Sequence, residues 1–275
     1  LKGIDKKSII KYEKILKKRL ANNRTDLYYM NSKFRKSKFK IEELKQKAIW
    51  IYQHDFFDSP GIYGGNLFVN HYQWFVKTIK YCKINSINFY IKSHPNNRKS
   101  SLQALLRLID IYDLKENTIF DDLSVTEIKR TRPIAICSVY GSIIPEAAYA
   151  GIPVLTAGSN PFETFPISFK ATSIKNYFEL IKIAYLEKLK IPEKNKVLKT
   201  FICGQQFLSH IFQSFDISWD DINEELWSLF SHNEDYPSSF WNRVEINNDP
   251  ENSHLYCEAK KLIKEKNLNF KSLLN

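Results

Sequence analysis

The chain has 275 residues, of which 43% are hydrophobic, 14% aromatic and 26% charged; this is apolar mass for one large domain or two small ones, and too much for a disordered segment. No apolar run is long enough to span a bilayer, the start LKGIDKKSIIKYEKILKKRL lacks the apolar stretch of a signal peptide, and a first residue of Leu1 points to a processed chain or a piece cut from a longer one. The formal charge of +11 is local: residues 1–48 hold 16 Lys and Arg against 5 Asp and Glu, and the remainder carries 25 of each.

Taken in order, residues 5–21 place Ile9, Tyr12, Leu16 and Leu20 at steps of three and four among lysines, which predicts a helix with a narrow apolar stripe. Residues 22–40 read as a polar linker and 41–48 as a short helical turn. This basic arm is either a solvated helix with its linker or a contact of residues 1–40 with an anionic membrane surface. YYMNSKFRKSKFK interleaves aromatics with cations but matches no nucleic-acid module, so no nucleic-acid partner is expected.

From residue 48 the pattern alternates. AIWIYQ (48–53), NFYIK (88–92), NTIF (117–120), PIAICSV (133–139) and IPVLTA (152–157) read as strands. Helices are predicted over 66–84, with Leu67, Tyr72, Phe75, Val76 and Ile79 on one face, and over 100–112, with a serine N-cap. Further helices follow over 125–131, over 143–150, ended by Gly151, and over 173–189. Short apolar strands separated by helices imply right-handed βαβ crossovers, hence an α/β fold built on a Rossmann-like parallel sheet covered on both faces. After residue 200 the pattern is helical, clearest at 219–231 and 252–266, with Trp219, Trp227, Phe230 and Trp241 for packing. The expected division is 1–47 basic helical arm and linker, 48–200 sheet domain, 201–275 helical extension.

Cys82, Cys137, Cys203 and Cys257 are scattered singly, which fits a reducing cytoplasm and argues against a disulfide framework or a zinc site. Asp121–Asp122 and Asp220–Asp221 are adjacent pairs whose side chains point apart in extended chain.

In an open parallel sheet, ligands bind where strands end and helices begin. The loops at that edge, HDFFDSPGIYGG, SHPNNRKS, DDLS, YGS and GSNPFETF, are rich in Ser, Gly, Asn, His and acid; those at the opposite edge, KINSI and DLKEN, are plain connectors. Gly141 permits a tight turn, and Ser142 stands at the N-cap of the next helix, whose backbone N–H groups form a phosphate site. Glu146, one turn on, is a carboxylate for the two hydroxyls of a ribose. Lys92 and His94 can each donate to a phosphate oxygen, with Pro95 biasing His94 toward extended geometry. His54, Asp55 and Asp58 are candidates for a general base at the first strand's end; the alternative is that His54 and Asp55 only order the Gly-rich loop.

YIKSHPN followed by VYGSIIPEAAYAGIPVLTAG resembles the nucleotide-binding half of bacterial capsule and surface polysaccharide glycosyltransferases of the GT-B type, a group that includes Kdo and sialic acid transferases with a His-Pro dyad; HDFFDSPGIYGGNLF is similar to a segment of such enzymes. The resemblance covers roughly 48–188. It implies a nucleotide-sugar donor, CMP- or NDP-linked, a glycan or glycolipid acceptor, and no metal or other cofactor. It also implies that His94 holds the donor phosphate with Ser138 and Ser142, that Glu146 holds the ribose, and that the 119–123 loop meets the base. GT-B enzymes pair two similar domains, and no second α/β domain precedes residue 48, so the acceptor domain is expected either outside this chain or in reduced form from its terminal helices. A cytoplasmic enzyme, peripheral at the inner face of the membrane, is the expected setting. A CDP-polyol phosphotransferase of teichoic-acid type and a non-catalytic partner-binding domain are the alternatives.

Overall fold

The computed structural model describes residues 6–21, 41, 44–58, 65–94, 97–120, 123–160, 162 and 165–203, and the backbone of 204–213. The expected helices at 219–231 and 252–266, the 22–40 linker, Pro95, the two Asp-Asp pairs and Cys257 lie outside them. By internal contact the chain divides into two units, Leu1–Ile202 and Cys203–Asn275.

The elements, in order, are α1 (Lys6–Leu20), β1 (Ile49–Tyr52), α2 (His71–Ile84), β2 (Phe89–Lys92), α3 (Lys99–Tyr112), β3 (Thr118–Ile119), α4 (Val125–Arg130), β4 (Ala135–Ser138), α5 (Ile143–Ala150), β5 (Val154–Thr156), β6 (Phe169–Lys170), α6 (Ile174–Tyr185) and α7 (Lys194–Gln213). The six strands form one parallel sheet in the order β3-β2-β1-β4-β5-β6. This is the doubly wound, Rossmann-like order, and it reverses between β1 and β4. The reversal opens a crevice at the carboxyl ends of those two strands, because the loops leaving them turn to opposite faces.

Alternation along the strands divides the core into two layers. Ile49 and Ile51 pack with α2, α3 and α6 through Trp74, Phe75, Leu105 and Tyr177. Trp50 and Ile136 pack on the other face with α4, α5, α7 and α1 through Ile128, Ile144, Phe201 and Leu16. The basic helix α1 is therefore docked on the sheet domain: Leu16 is fully buried, the Arg19 guanidinium lies over the Phe201 ring, the Tyr149 hydroxyl donates to Glu13 (2.7 Å), and Thr126 donates to the Leu20 carbonyl (2.9 Å). Burying Leu16 contributes roughly 1.5–3 kcal/mol to that docking.

Several local features depart from expectation. Helix α2 begins at His71 because Asn70, extended at φ −158° and ψ 174°, caps it by accepting from Gln73 N–H (2.8 Å). Its buried face is His71, Trp74, Phe75, Thr78, Ile79 and Cys82; Tyr72 is turned outward. The rotation lets Trp74 Nε1 donate to the Tyr177 hydroxyl (3.0 Å) inside the core. No serine caps α3; its N-cap is Arg98, and Ser101 is buried in the adjoining loop network. The capping box of α4, Ser124 with Glu127, and the two-residue strand β6 were not expected from the sequence. Gly151 closes α5 in the left-handed region (φ 79°), as predicted. Cys82 and Cys137 are buried free thiols, and burial pushes Cys137 up to about 12.

Candidate functional site

The residues leaving β1 alternate in direction, and the alternation sorts them into two clusters. Gln53 and Asp55 turn toward the β2–α3 loop. The Gln53 and Asn97 amides pair reciprocally (Nδ2 to Oε1 2.7 Å, Nε2 to Oδ1 3.0 Å). Gln53 Oε1 also accepts from the His94 backbone N–H (2.9 Å), and Gln53 Nε2 donates to the His54 carbonyl. Asn97 donates to Ser93 and accepts from Ser101, whose hydroxyl accepts from Phe56 N–H (3.0 Å). Asp55, 6% exposed, accepts from Phe57 N–H with one oxygen (2.9 Å) and from Arg98 N–H, at the start of α3, with the other (2.7 Å). A carboxylate there also opposes the positive end of the α3 dipole. Of the two readings left open for Asp55, ordering the loop is the one its geometry supports. Gln53 holds the His94 backbone N–H; Pro95, expected to bias His94, lies outside the described residues.

His54 turns the other way, across the crevice to β4. Its Nε2 lies 3.1 Å from Val139 N–H and 3.0 Å from Ser138 Oγ, and the Ser138 hydroxyl donates to the Tyr140 carbonyl (2.8 Å). A backbone N–H can only donate, so Nε2 is the acceptor and the neutral ring carries its proton on Nδ1. The imidazole is walled by His71 (5.0 Å between centroids, 25° between planes), Tyr140 (4.9 Å) and Trp74 (5.7 Å). Burial, then the nearby His71 and His94, hold its pKa well below the usual histidine value. His54 is therefore a neutral latch joining the ends of β1 and β4.

His71, fully buried on the first turn of α2, was missed in the sequence. Its Nε2 is 3.4 Å from the Tyr140 hydroxyl, which is 3.3 Å from Asp58 Oδ2. The signal was there: Asn70 is a cap residue, and in a parallel sheet every helix starts at the carboxyl edge, so a capped His71 belongs at the crevice. Asp58 is exposed, and its other oxygen lies 3.9 Å from Arg98 Nη2.

The remaining candidates surround this core. Lys92, 7% exposed, is paired in register with Tyr52 and holds Nζ 5.8 Å from that ring's centroid; it shares a sheet face with Tyr90, toward α4 and α5. Gly141 follows β4 at φ 115°, a conformation that strains any residue with a Cβ. Ser142 precedes α5 in helical geometry (φ −64°, ψ −19°) and makes no side-chain capping bond, because such a bond needs an extended N-cap. It stands at the N-cap of α5, as expected, without capping through its side chain. Glu146 sits within α5 and is 1% exposed. The end of the β1–α2 loop crosses the tip of β5, with Leu67 N–H to Ala157 O (3.1 Å), Ser159 N–H to Gly65 O (2.8 Å) and Asn66 bridged to Gly158. A Cβ on Gly158 would stand 2.8 Å from Val139 Cγ1, so this crossing requires glycine.

Among the described residues, no group of three or more His, Cys, Asp and Glu is placed to hold a metal ion, and no helix is long and apolar enough to cross a membrane. The fold and crevice define a Rossmann-like α/β domain. No family model and no curated protein sequence matches the chain. Among solved structures, the crystal structure of Methanocaldococcus jannaschii UDP-GlcNAc 2-epimerase in complex with UDP-GlcNAc and UDP is similar at 13% identity and a TM-score of 0.45, covering 76% of this chain. The chain spans 56% of the length of that epimerase chain.

Proposed function

We propose that this chain is the nucleotide-sugar-binding domain of a GT-B-type glycosyltransferase that transfers a sugar from a CMP- or NDP-linked donor to a surface polysaccharide acceptor. The observation that carries the reading is the crevice at the β1–β4 reversal, where His54, Ser138, Tyr140 and Asp58 meet beside the His94 loop and the start of α5. The donor phosphate lies against His94, the Ser138 and Ser142 hydroxyls and the first N–H groups of α5. Lys92, behind His94 on the adjoining strand, adds positive charge to the same edge. Glu146, on the first turn of α5, is the carboxylate assigned to the ribose.

The acceptor hydroxyl oxygen bonds to the anomeric carbon, the bond from that carbon to the phosphate oxygen breaks, and its electron pair leaves on the phosphate. His94 and the α5 amides stabilise that developing charge. The acceptor's proton passes to Asp58, the exposed carboxylate of the cluster; Asp55 is engaged by two backbone N–H groups, and His54 by Val139. His54 and His71 position the site and do not react.

The test is calorimetry with CMP, CDP and UDP. Wild type binds at least one, and His94→Ala weakens it by roughly tenfold, the loss of one hydrogen bond to a charged group. Binding by His94→Ala and Glu146→Ala equal to wild type sinks the assignment. Product analysis with CMP-Kdo against CDP-glycerol separates sugar transfer from polyol-phosphate transfer.

A further inference from the structure

Docking orients α1. Its buried side is Leu16 and Arg19, flanked by partly buried Ile9, Tyr12, Ile15 and Leu20. At 3.6 residues per turn, the opposite side collects Lys6, Lys7, Ile10, Lys11, Lys14, Lys17 and Lys18. All are exposed save Lys18, which is half-buried, and Ile10 is 67% exposed in their midst. The helix thus presents a straight lysine face about 18 Å long with one bare aliphatic side chain near its middle. The acid at its edge, Glu13, is already held by Lys17 (2.8 Å) and Tyr149.

We infer that this outer face of α1 is a docking surface for an anionic lipid bilayer. Point-charge ammoniums on flexible stems suit a fluid array of phosphodiester headgroups, to which each adds attraction without fixed geometry. An exposed isoleucine among them has a place at the headgroup–acyl boundary. Arg19, the helix's sole arginine and the better fork for a fixed phosphate, is buried against Phe201, and among the described residues α1 carries no aromatic side chain on its lysine face to stack a base.

The orientation also fits. Glu13 is level with Tyr149 near the end of α5, and Leu20 with Thr126 in the first turn of α4. Because α4 and α5 both start at the carboxyl edge, α1 runs toward that edge, and its Lys17–Lys18 end stands on the side where the crevice opens. A bilayer bound to α1 would lie beside that opening. The inference goes beyond the nucleotide reading and does not depend on it.

The experiment is co-sedimentation of the whole chain with vesicles of phosphatidylcholine alone and of phosphatidylcholine with phosphatidylglycerol. Wild type binds the anionic vesicles, less so in high salt, and leaves the neutral ones. A variant with Lys7, Lys11, Lys14 and Lys18 all changed to Gln keeps its melting temperature, since all four lie off the buried face, and loses roughly two to three orders of magnitude in partitioning. Ile10→Ser loses a further few-fold. Equal binding to neutral vesicles, or full binding by the four-lysine variant, overturns the inference. Tighter binding to a single-stranded RNA than to anionic vesicles overturns it in favour of nucleic acid. Nucleotide calorimetry on the four-lysine variant is expected to match wild type, so failure here is distinguishable from failure of the crevice assignment.

Discussion

The two polar clusters at the carboxyl edge grow from three consecutive residues, Gln53, His54 and Asp55, and are opposite in character. Around Gln53 and Asp55, buried side chains and the half-buried Asn97 bond to one another and to backbone groups, and Asp55 ties the β1 exit to the start of α3 at 2.7 Å. Around His54, rings stack on rings, the bonds through Tyr140 are long at 3.3–3.4 Å, and Asp58, Tyr140 and His94 reach solvent. The polar atoms of Gln53 and Asp55 are taken up by the fold, and the partly exposed Asp58, Tyr140 and His94 can exchange one partner for another. The first cluster is the scaffold that holds the second in place.

That contrast can be broken by mutation. The largest effect is expected from Asp55→Ala, which strands two backbone N–H groups beside a helix start and costs about 2–4 kcal/mol, a fall of roughly 4–16 °C in melting temperature. Asp58→Ala, in the exposed cluster, is expected to change stability by less than about 0.5 kcal/mol while abolishing transfer. Equal melting temperatures for the two variants would erase the distinction.

Gly141→Ala comes next. A residue with a Cβ at φ 115° costs on the order of 1–3 kcal/mol, although no atom lies within 4 Å of the new methyl group. Backbone strain is thus the whole cost, and a smaller residue nearby is not expected to rescue it.

A smaller effect distinguishes the latch by pH. The folded state holds His54 below its unfolded value, near 6.5. Above that value the ring is neutral in both states and makes no difference. As pH falls below it, the unfolded chain takes up a proton that the folded chain refuses, so stability falls, by at most about 1.4 kcal/mol per pH unit. His54→Gln keeps an acceptor for Val139 N–H and loses the titration, so its denaturant-unfolding stability is expected to decline less between neutral and mildly acidic pH. Parallel declines in the two proteins would show that His54 is not the titrating group. Tyr140→Phe, which removes the long bonds to His71 and Asp58, is expected to cost less than about 1 kcal/mol.

Much of this was legible. Short apolar runs between amphipathic segments specify a parallel sheet, and the polar loops mark its carboxyl edge. Gly151 ends α5 as its position predicts. Strand order was not legible: nothing local to IWIY says that β1 lies between β2 and β4, because order is decided by which helices pack on which face. β6 is two residues long and carries no periodicity. Ser101 looks like a cap and is a buried network member, a difference made by Gln53 and Asn97 from other segments. Docking of α1 depends on Tyr149 and Phe201, more than a hundred residues away, so its lysines read as a loose basic arm until the buried face is known.

The central claim is that a nucleotide sits at the β1–β4 reversal. Amide hydrogen exchange with and without a saturating nucleotide tests it directly. The account predicts slowed exchange in residues 139–146, at the β4–α5 turn, and at Ser93 and His94. Exchange unchanged there, with protection appearing elsewhere or nowhere, would contradict it.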